Sequence, residues 1–400
     1  MGVFTVLSSY FPPSVSELLL RYNSAGFKAY LVGGCVRDAV LGIKPVDFDV
    51  AVSATPEETK QLFADSKIIP TGIKHGTLTV IYKGVKTEVT TFRREGRYTD
   101  RRHPDVVEYT DSAAEDAARR DFTINALFYN PKEGVVDFYG GKSDLRAGIL
   151  RCVGDPHKRF DEDALRILRA LRFSARLGFK IEQNTADAME GLAYLIKSLA
   201  AERVLAELKQ LFAADCDSIV KAFPKAISAA LGCDGKAVSL AAYEPKHRLP
   251  VFVAEYCGGR EEALECIKRL KTDGVTLTAV KAAAEAVYGA GLRDKASLAR
   301  AARSYGIENA EMMCAVCKNK GLFLVEDAED YLKLLQSGRA PLQLKELNIK
   351  GTMLNVKGQA LGKALEALYD YAHNNMTNDT AVLLKAAEQI QNKTEKEQRE

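Results

Sequence analysis

Two aspartates stand two residues apart in Val46-Asp-Phe-Asp-Val-Ala-Val52, a β-prone stretch. Strand residues two apart point to the same face, so Asp47 and Asp49 lie side by side with Phe48 turned the other way, into the fold. Like charges at that distance repel and raise one pKa unless a cation sits between them. A hard divalent ion that prefers oxygen, most simply Mg2+, is the natural occupant. Upstream, Gly33 and Gly34 follow the apolar run Ala29-Tyr-Leu-Val32 and open a short helix that carries Arg37. Backbone N–H groups at such a helix start can hold a phosphate. Metal carboxylates beside a phosphate cradle describe a nucleotide site. Glu88, on the strand-like run 86–92, is a candidate third carboxylate; a polar residue on a strand's outer face reads the same way.

A second constellation is Arg119-Arg-Asp121. The Arg120 guanidinium is a forked donor for phosphate, and Asp121 can accept from a ribose hydroxyl. Asn125, on the turn that follows, can add a sugar or phosphate contact; a helix-terminal ion pair is the plainer reading of the group. The third is Arg159-Phe-Asp-Glu-Asp-Ala-Leu-Arg-Ile-Leu-Arg-Ala-Leu-Arg-Phe173. Asp163, Arg166, Arg169 and Arg172 recur every third residue, and on one helix they would form a ridge that slants by about 60° per step. Ordinary helix salt bridges use the same spacing. Asp only accepts hydrogen bonds and Arg only donates them. Cytosine and adenine each pair an acceptor with an amino donor, whereas uracil and guanine present the reverse. A fixed Asp163–Arg166 pair would accept C and A and refuse U and G, because a mismatch leaves buried polar groups unpaired.

The elements that must position these groups fall into two parts. Residues 1–150 read as a small mixed sheet with helices. The helices are expected at 13–25, ended by Gly26, after the N-cap Thr55 with Pro56 and Glu58 behind it, and at 111–120. Strands are expected at 28–32, 68–69, 77–82, 86–92, up to Tyr129, at 135–139 and at 149–153. The arginine-rich stretch 93–104 lacks periodicity and reads as a mobile loop beside the sheet. From Arg159 to about Gln391 apolar residues recur at helical spacing. Turns are expected at Gly178, Gly232, Pro245, Gly274, Gly289, Gly306, Gly321 and 338–341, with a frayed charged tail from Asn392.

With 56 Lys+Arg against 53 Asp+Glu, any basic surface for nucleic acid must be local. No apolar run reaches the roughly 18 residues of a membrane span, and residues 1–10 do not have the make-up of a signal peptide. Eight cysteines without framework spacing fit a reducing cytoplasm. Cys314-Ala-Val-Cys317 is one CxxC with no second pair and reads as two packed helix cysteines. His75, between Gly72 and Gly76, reads as a loop contact or as nothing.

The motifs carry a resemblance when read in order. Leu31-Val-Gly-Gly-Cys-Val-Arg-Asp, Asp47-Phe-Asp, Thr90-Thr-Phe-Arg, Arg119-Arg-Asp-Phe-Thr-Ile-Asn-Ala, Arg159-Phe-Asp-Glu-Asp-Ala-Leu-Arg and Glu202-Arg-Val-Leu-Ala-Glu-Leu resemble the class II tRNA nucleotidyltransferase/poly(A) polymerase family. Leu347-Asn-Ile-Lys-Gly351, 357–362 and Asn378 are more weakly similar to the tail of its bacterial CCA-adding members. The resemblance implies an α+β chain: a nucleotidyltransferase head over 1–153, then an all-helical neck over 154–215, body over 216–330 and tail over 331–400, in a seahorse-like arrangement. It implies Mg2+ at Asp47 and Asp49; Glu88 stays a candidate catalytic carboxylate on its strand position alone. It also implies triphosphate contacts by Gly34 and Arg37, ribose and phosphate contacts by Arg120 and Asp121, and base choice by Asp163 and Arg166, while Gly33 and Asn125 remain nucleotide-binding candidates from their own positions. Arg169 and Arg172 match further nucleotide-contacting positions.

The activity so implied is CCA addition to the tRNA 3′ end from CTP and ATP, by two-metal-ion nucleotidyl transfer in the cytoplasm. The tRNA acceptor and T arms would lie on the helical part, with no protein partner. Relatives that add only CC lack the loop that 93–104 supplies here. The histidines include no His-Asp pair of a phosphohydrolase domain. The mixed-charge tail favours a tRNA enzyme over a poly(A) polymerase. An A-adding enzyme, a poly(A) polymerase and a non-catalytic RNA-binding protein with a retained nucleotide fold stay open as alternatives.

Overall fold

The computed structural model describes residues 7–95, 107–354 and 356–397. Its contacts divide the chain into two compact units, Met1–Ala230 and Leu231–Glu400.

The first unit is built on a seven-stranded sheet. Its strands are β1 (Ala29–Val32), β2 (Asp49–Val52), β3 (Lys67–Gly72), β4 (Thr77–Tyr82), β5 (Val85–Thr91), β8 (Leu127–Asn130) and β9 (Gly134–Asp137), in the order β3-β4-β5-β2-β1-β8-β9. The pairing is antiparallel except for β2 with β5, which run parallel, so the sheet is mixed. β1 is buried along its whole length, as its unbroken Ala-Tyr-Leu-Val requires. The helix Pro13–Ser24 packs on β1, β4 and β5 and buries Leu18, Leu19 and Tyr22. Elsewhere Tyr30, Phe92 and Phe128 interlock, with ring centroids 5.8–6.4 Å apart. The Thr55–Glu58 capping box forms at the start of the helix Pro56–Leu62.

Part of the expected 93–104 loop is strand. Arg93–Glu95, as β6, pairs antiparallel with Val107–Tyr109, as β7. The backbone of a hairpin base is fixed by its ladder, which a sequence without side-chain alternation does not advertise. The rest of that stretch lies outside the described residues. Among the described residues the all-helical expectation after Arg159 holds apart from one short strand: Lys180–Ile181 (β11) pairs with Ile149–Leu150 (β10). Asn392 was expected to start a frayed tail, but helical backbone continues to Glu397 in the helix Thr380–Glu397.

The third motif departs most from expectation. A helix Pro156–Glu162 stops, and a second, Leu165–Leu177, begins after Asp163. Asp163 has extended backbone (φ −148°, ψ 102°), and its side chain accepts from the Leu165 N–H at 3.0 Å. A short acid that bonds its neighbour's backbone offers an alternative to helix, so the periodicity runs on through a joint where the backbone does not. Asp163 therefore does not share a helix with Arg166, Arg169 and Arg172.

The second unit is helical. Pro245–Tyr256 packs on Gly274–Tyr288, which packs on Ile307–Lys320, and Lys295–Tyr305 packs on Gln359–Asn374. Pro245 and Gly274 are not turns but the first residues of their helices, where a missing or unneeded N–H costs little. No helix among the described residues is long and apolar enough to cross a membrane.

Candidate active site

The antiparallel register of β1 on β2 sets Leu31 opposite Val50. The glycine turn after β1 and the acidic start of β2 therefore meet at one end of the sheet. Gly33 is in a left-handed conformation (φ +73°), and a Cβ there would lie 3.4 Å from Arg120 Nη1 and 3.9 Å from Asp49 Oδ2. The turn thus needs glycine for its backbone, while the space beside it would admit a Cβ in ordinary contact. Gly33 N–H donates to Leu127 O, while Gly34 begins the short helix Gly34–Val40, where an amide has no carbonyl of its own helix to meet.

Asp49 opens β2, but Asp47 sits in the bend just before it, and Phe48 is only half-buried. The parallel pairing places Glu88 directly opposite Asp49. Desolvation by the cleft walls and the Glu88 and Asp47 carboxylates push the Asp49 carboxyl above its ordinary range, against the pull of Arg120. An all-oxygen donor set that disfavours the Asp49 charge in this way suits a hard divalent cation.

Around this corner lies a cleft of about 440 Å3. Six basic residues (Arg37, Lys44, Arg120, Arg169, Arg172, Arg176) and four aspartates (38, 47, 49, 121) line it, so its field favours a polyanion. Arg120 is held from below by Asp116, at 3.0 Å, and so is Arg119, at 2.7 Å. Asp116 is fully buried; burial works against its charge, yet the two arginines keep its carboxyl below the usual range. Asp121 is likewise buried and held low by Arg169, which donates from Nε at 2.8 Å and Nη2 at 2.7 Å. Asn125 links the groups: its Nδ2 donates to Asp121 and its Oδ1 accepts from Arg37 at 2.7 Å. Arg37 is only 3% exposed and also bonds Asp38, so it lies beneath the glycine turn.

Residues 29–151 match the family model described as the poly A polymerase head domain, and residues 178–218 match the one described as the probable RNA and SrmB-binding site of polymerase A. Within those stretches the chain is similar to the head and RNA-binding parts of poly(A) polymerase-type nucleotidyltransferases. It is similar to the CCA-adding enzyme of Leuconostoc mesenteroides, 50% identical over 194 residues, 48% of each chain. That of Ligilactobacillus salivarius is 47% identical over 194 residues, again 48% of each. The matching stretch spans about half the length of these curated relatives. A crystal structure of the Bacillus stearothermophilus CCA-adding enzyme in complex with CTP superposes with a TM-score of 0.78 at 26% identity, covering 97% of this chain and 100% of that one. The Thermotoga maritima CCA-adding enzyme complexed with tRNA shares the fold, with a TM-score of 0.67 at 20% identity, covering 97% of this chain and 98% of that one.

The sequence candidates divide. Gly33, Gly34, Arg37, Asp47, Asp49, Arg120, Asp121, Asn125, Arg169 and Arg172 all line one cleft, and Glu88 flanks Asp49. Asp163 and Arg166 are not among its lining residues. Asp163 pairs with Arg203 at 2.9 Å. Arg166 is buried, pairs with Glu162 at 2.9 Å and donates to the Arg119 carbonyl at 2.9 Å. Arg172 is gripped by Glu207 at 2.8 Å. Burial lowers the Arg172 pKa and raises that of Glu207. Sequence reasoning missed four of these supports: Asp116, Glu162, Arg203 and Glu207. Asp116 and Glu162 were findable, since each stands three and four residues from the arginines it holds. Arg203 and Glu207 reach across from the helix Ala201–Phe212, which no local spacing reveals.

Proposed function

We propose that the chain is a template-independent nucleotidyltransferase that adds CCA to the 3′ end of tRNA from CTP and ATP. The observation that carries this reading is the cleft itself. A glycine turn, an acidic strand start and a basic wall converge at one sheet corner, in a chain whose fold matches a CTP-bound CCA-adding enzyme over nearly its whole length.

Asp47 and Asp49, with Glu88 beside them, would hold two magnesium ions, which when bound lower the pKa of the tRNA 3′-hydroxyl and offset charge on departing pyrophosphate. The chain's own residues position the reactants. Arg120, steadied by Asp116, points one Nη toward the glycine turn, where it and the Gly34 N–H can grip the triphosphate. Asp121 and Asn125 lie buried at the floor, and their polar edges can meet the ribose. No protein nucleophile is needed, since the attacking group is the RNA hydroxyl. Base choice by the acceptor–donor logic above would fall to Asp163 and Arg166 once nucleotide binding turns their side chains from Arg203, Glu162 and the Arg119 carbonyl toward the cleft. The tRNA would lie on basic side chains of the helical part, in the cytoplasm.

The test is incorporation of each labelled NTP on tRNA lacking CCA. Successive C, C and A addition is expected. ATP-only incorporation on tRNA ending in CC would replace this reading with the A-adding enzyme. Long A tracts on unrelated RNA would indicate a poly(A) polymerase, and RNA binding without incorporation would leave only a binding protein.

A further inference from the structure

Among the described residues, one group of three His, Cys, Asp or Glu side chains brings its ligand atoms within 4.8 Å of one another: Cys233, Cys257 and Cys266. All three belong to the second unit, apart from the acidic cleft. Cys233 follows Gly232, which turns the chain out of the helix Pro224–Leu231 in a left-handed conformation. Cys257 caps the C-terminus of Pro245–Tyr256, and Cys266 lies on Arg260–Arg269. Three separate elements therefore deliver one thiol each to the same point.

We propose that these three thiols form a zinc site with solvent as the fourth ligand. The Cys233 and Cys257 sulfurs are 3.7 Å apart. Tetrahedral zinc with Zn–S bonds of about 2.3 Å requires neighbouring sulfurs roughly 3.8 Å apart. The same distance is far too long for a disulfide, whose sulfurs lie about 2.05 Å apart. Cys266 is 1% exposed, while Cys233 and Cys257 are half-buried, so the group is closed on one side and open on the other. That is the arrangement of a three-ligand site with one open position.

A nearby cation answers the charge problem. Three thiolates around Zn2+ leave one net negative charge. The Arg269 guanidinium is anchored beside them by donation to the Leu231 carbonyl at 2.7 Å and to the Gly232 carbonyl at 3.2 Å. A guanidinium next to thiols favours their ionised form. Loading the site replaces three thiol protons with one zinc ion and releases those protons to solvent. Among the described residues, Cys314 and Cys317, one turn apart on Ile307–Lys320, have no such third partner within reach.

The full chain, loaded with zinc chloride and desalted over chelating resin, is assayed for metal by mass spectrometry. About one zinc per chain is expected, retained in Asp49→Asn and Cys314→Ser and lost in Cys257→Ser and Cys266→Ser. Cobalt in place of zinc should give a near-ultraviolet thiolate-to-metal band that the same two variants lose. The unmodified chain provides a readout independent of variant folding: zinc should slow the reaction of Cys233 and Cys257 with a thiol reagent. Unchanged thiol reactivity, zinc retained in the cysteine variants, copper held in place of zinc, or a Cys233–Cys257 disulfide in the purified chain would each overturn the proposal.

Discussion

Asp49 is the residue at which three influences meet: the glycine turn, the Arg120 guanidinium and the Glu88 carboxylate. Asp49→Asn keeps the shape and removes the charge. It is expected to lower NTP incorporation by at least about 1,000-fold while leaving the thermal midpoint unchanged or higher, because it also removes like-charge repulsion. Incorporation within tenfold of the native rate would refute the metal role. Arg166 behaves differently, because its guanidinium has two duties. It ties Glu162 and the Arg119 carbonyl together inside the first unit. Arg166→Ala should therefore relax the preference for CTP and ATP over UTP and GTP and also cost about 2 kcal/mol of stability. The stability cost stays below that of an orphaned buried charge, since Glu162 keeps Arg159 at 2.6 Å. NTP competition together with urea unfolding checks both halves, and an unchanged preference would refute the reading pair.

At the scale of elements, His373 shows how helix packing sets a pH response. The ring sits on Gln359–Asn374, is 1% exposed, and meets Tyr331 of Ala328–Gln336 through Nδ1. Burial, with Arg303 and Arg300 nearby, lowers its pKa from 6.5 to about 4. Between those values the unfolded chain binds a proton that the native chain does not. Stability is therefore full above about pH 6.5 and declines as pH falls toward 4, by on the order of 3 kcal/mol. In urea titrations at pH 7 and 4.5, His373→Gln should lose much of that decline, and an equal decline in both proteins would refute the assignment. Element-scale features were unequally legible in the sequence. Strands and helices with their own periodicity or caps, such as β1 and the Thr55 box, could be read directly. The joint at Asp163 could not, because apolar spacing continues across it while one side-chain hydrogen bond redirects the backbone. The site's inner ring was readable from short motifs. Arg203 and Glu207 stand in the quoted motif 202–208, but what they hold was not legible, since their partners lie on other elements. The cysteine trio was hidden for the same reason: its members are spread over three elements, whereas the one CxxC spacing drew attention to Cys314 and Cys317.

For the molecule as a whole, a net charge of +3 means that affinity for a polyanion must come from local basic surface rather than from bulk attraction. Binding of tRNA should therefore follow counterion release, weakening at least tenfold between about 50 and 200 mM salt. A titration showing salt-independent affinity would refute a phosphate-contacting interface. The parallel pairing of β2 with β5 also bears on how the first unit folds. β5 reaches β2 only after the chain has run out through β3 and β4 and returned, so the two strands meet across a long loop closure. The pairing that completes the centre of the sheet is also the step that forces the Glu88 and Asp49 carboxylates together. Their repulsion is expected to slow strand docking, and a divalent cation in the refolding buffer should relieve it. Stopped-flow refolding is expected to quicken with added magnesium in the native chain and to lose that acceleration in Asp49→Asn, which would make the ion an aid to the assembly of its own site.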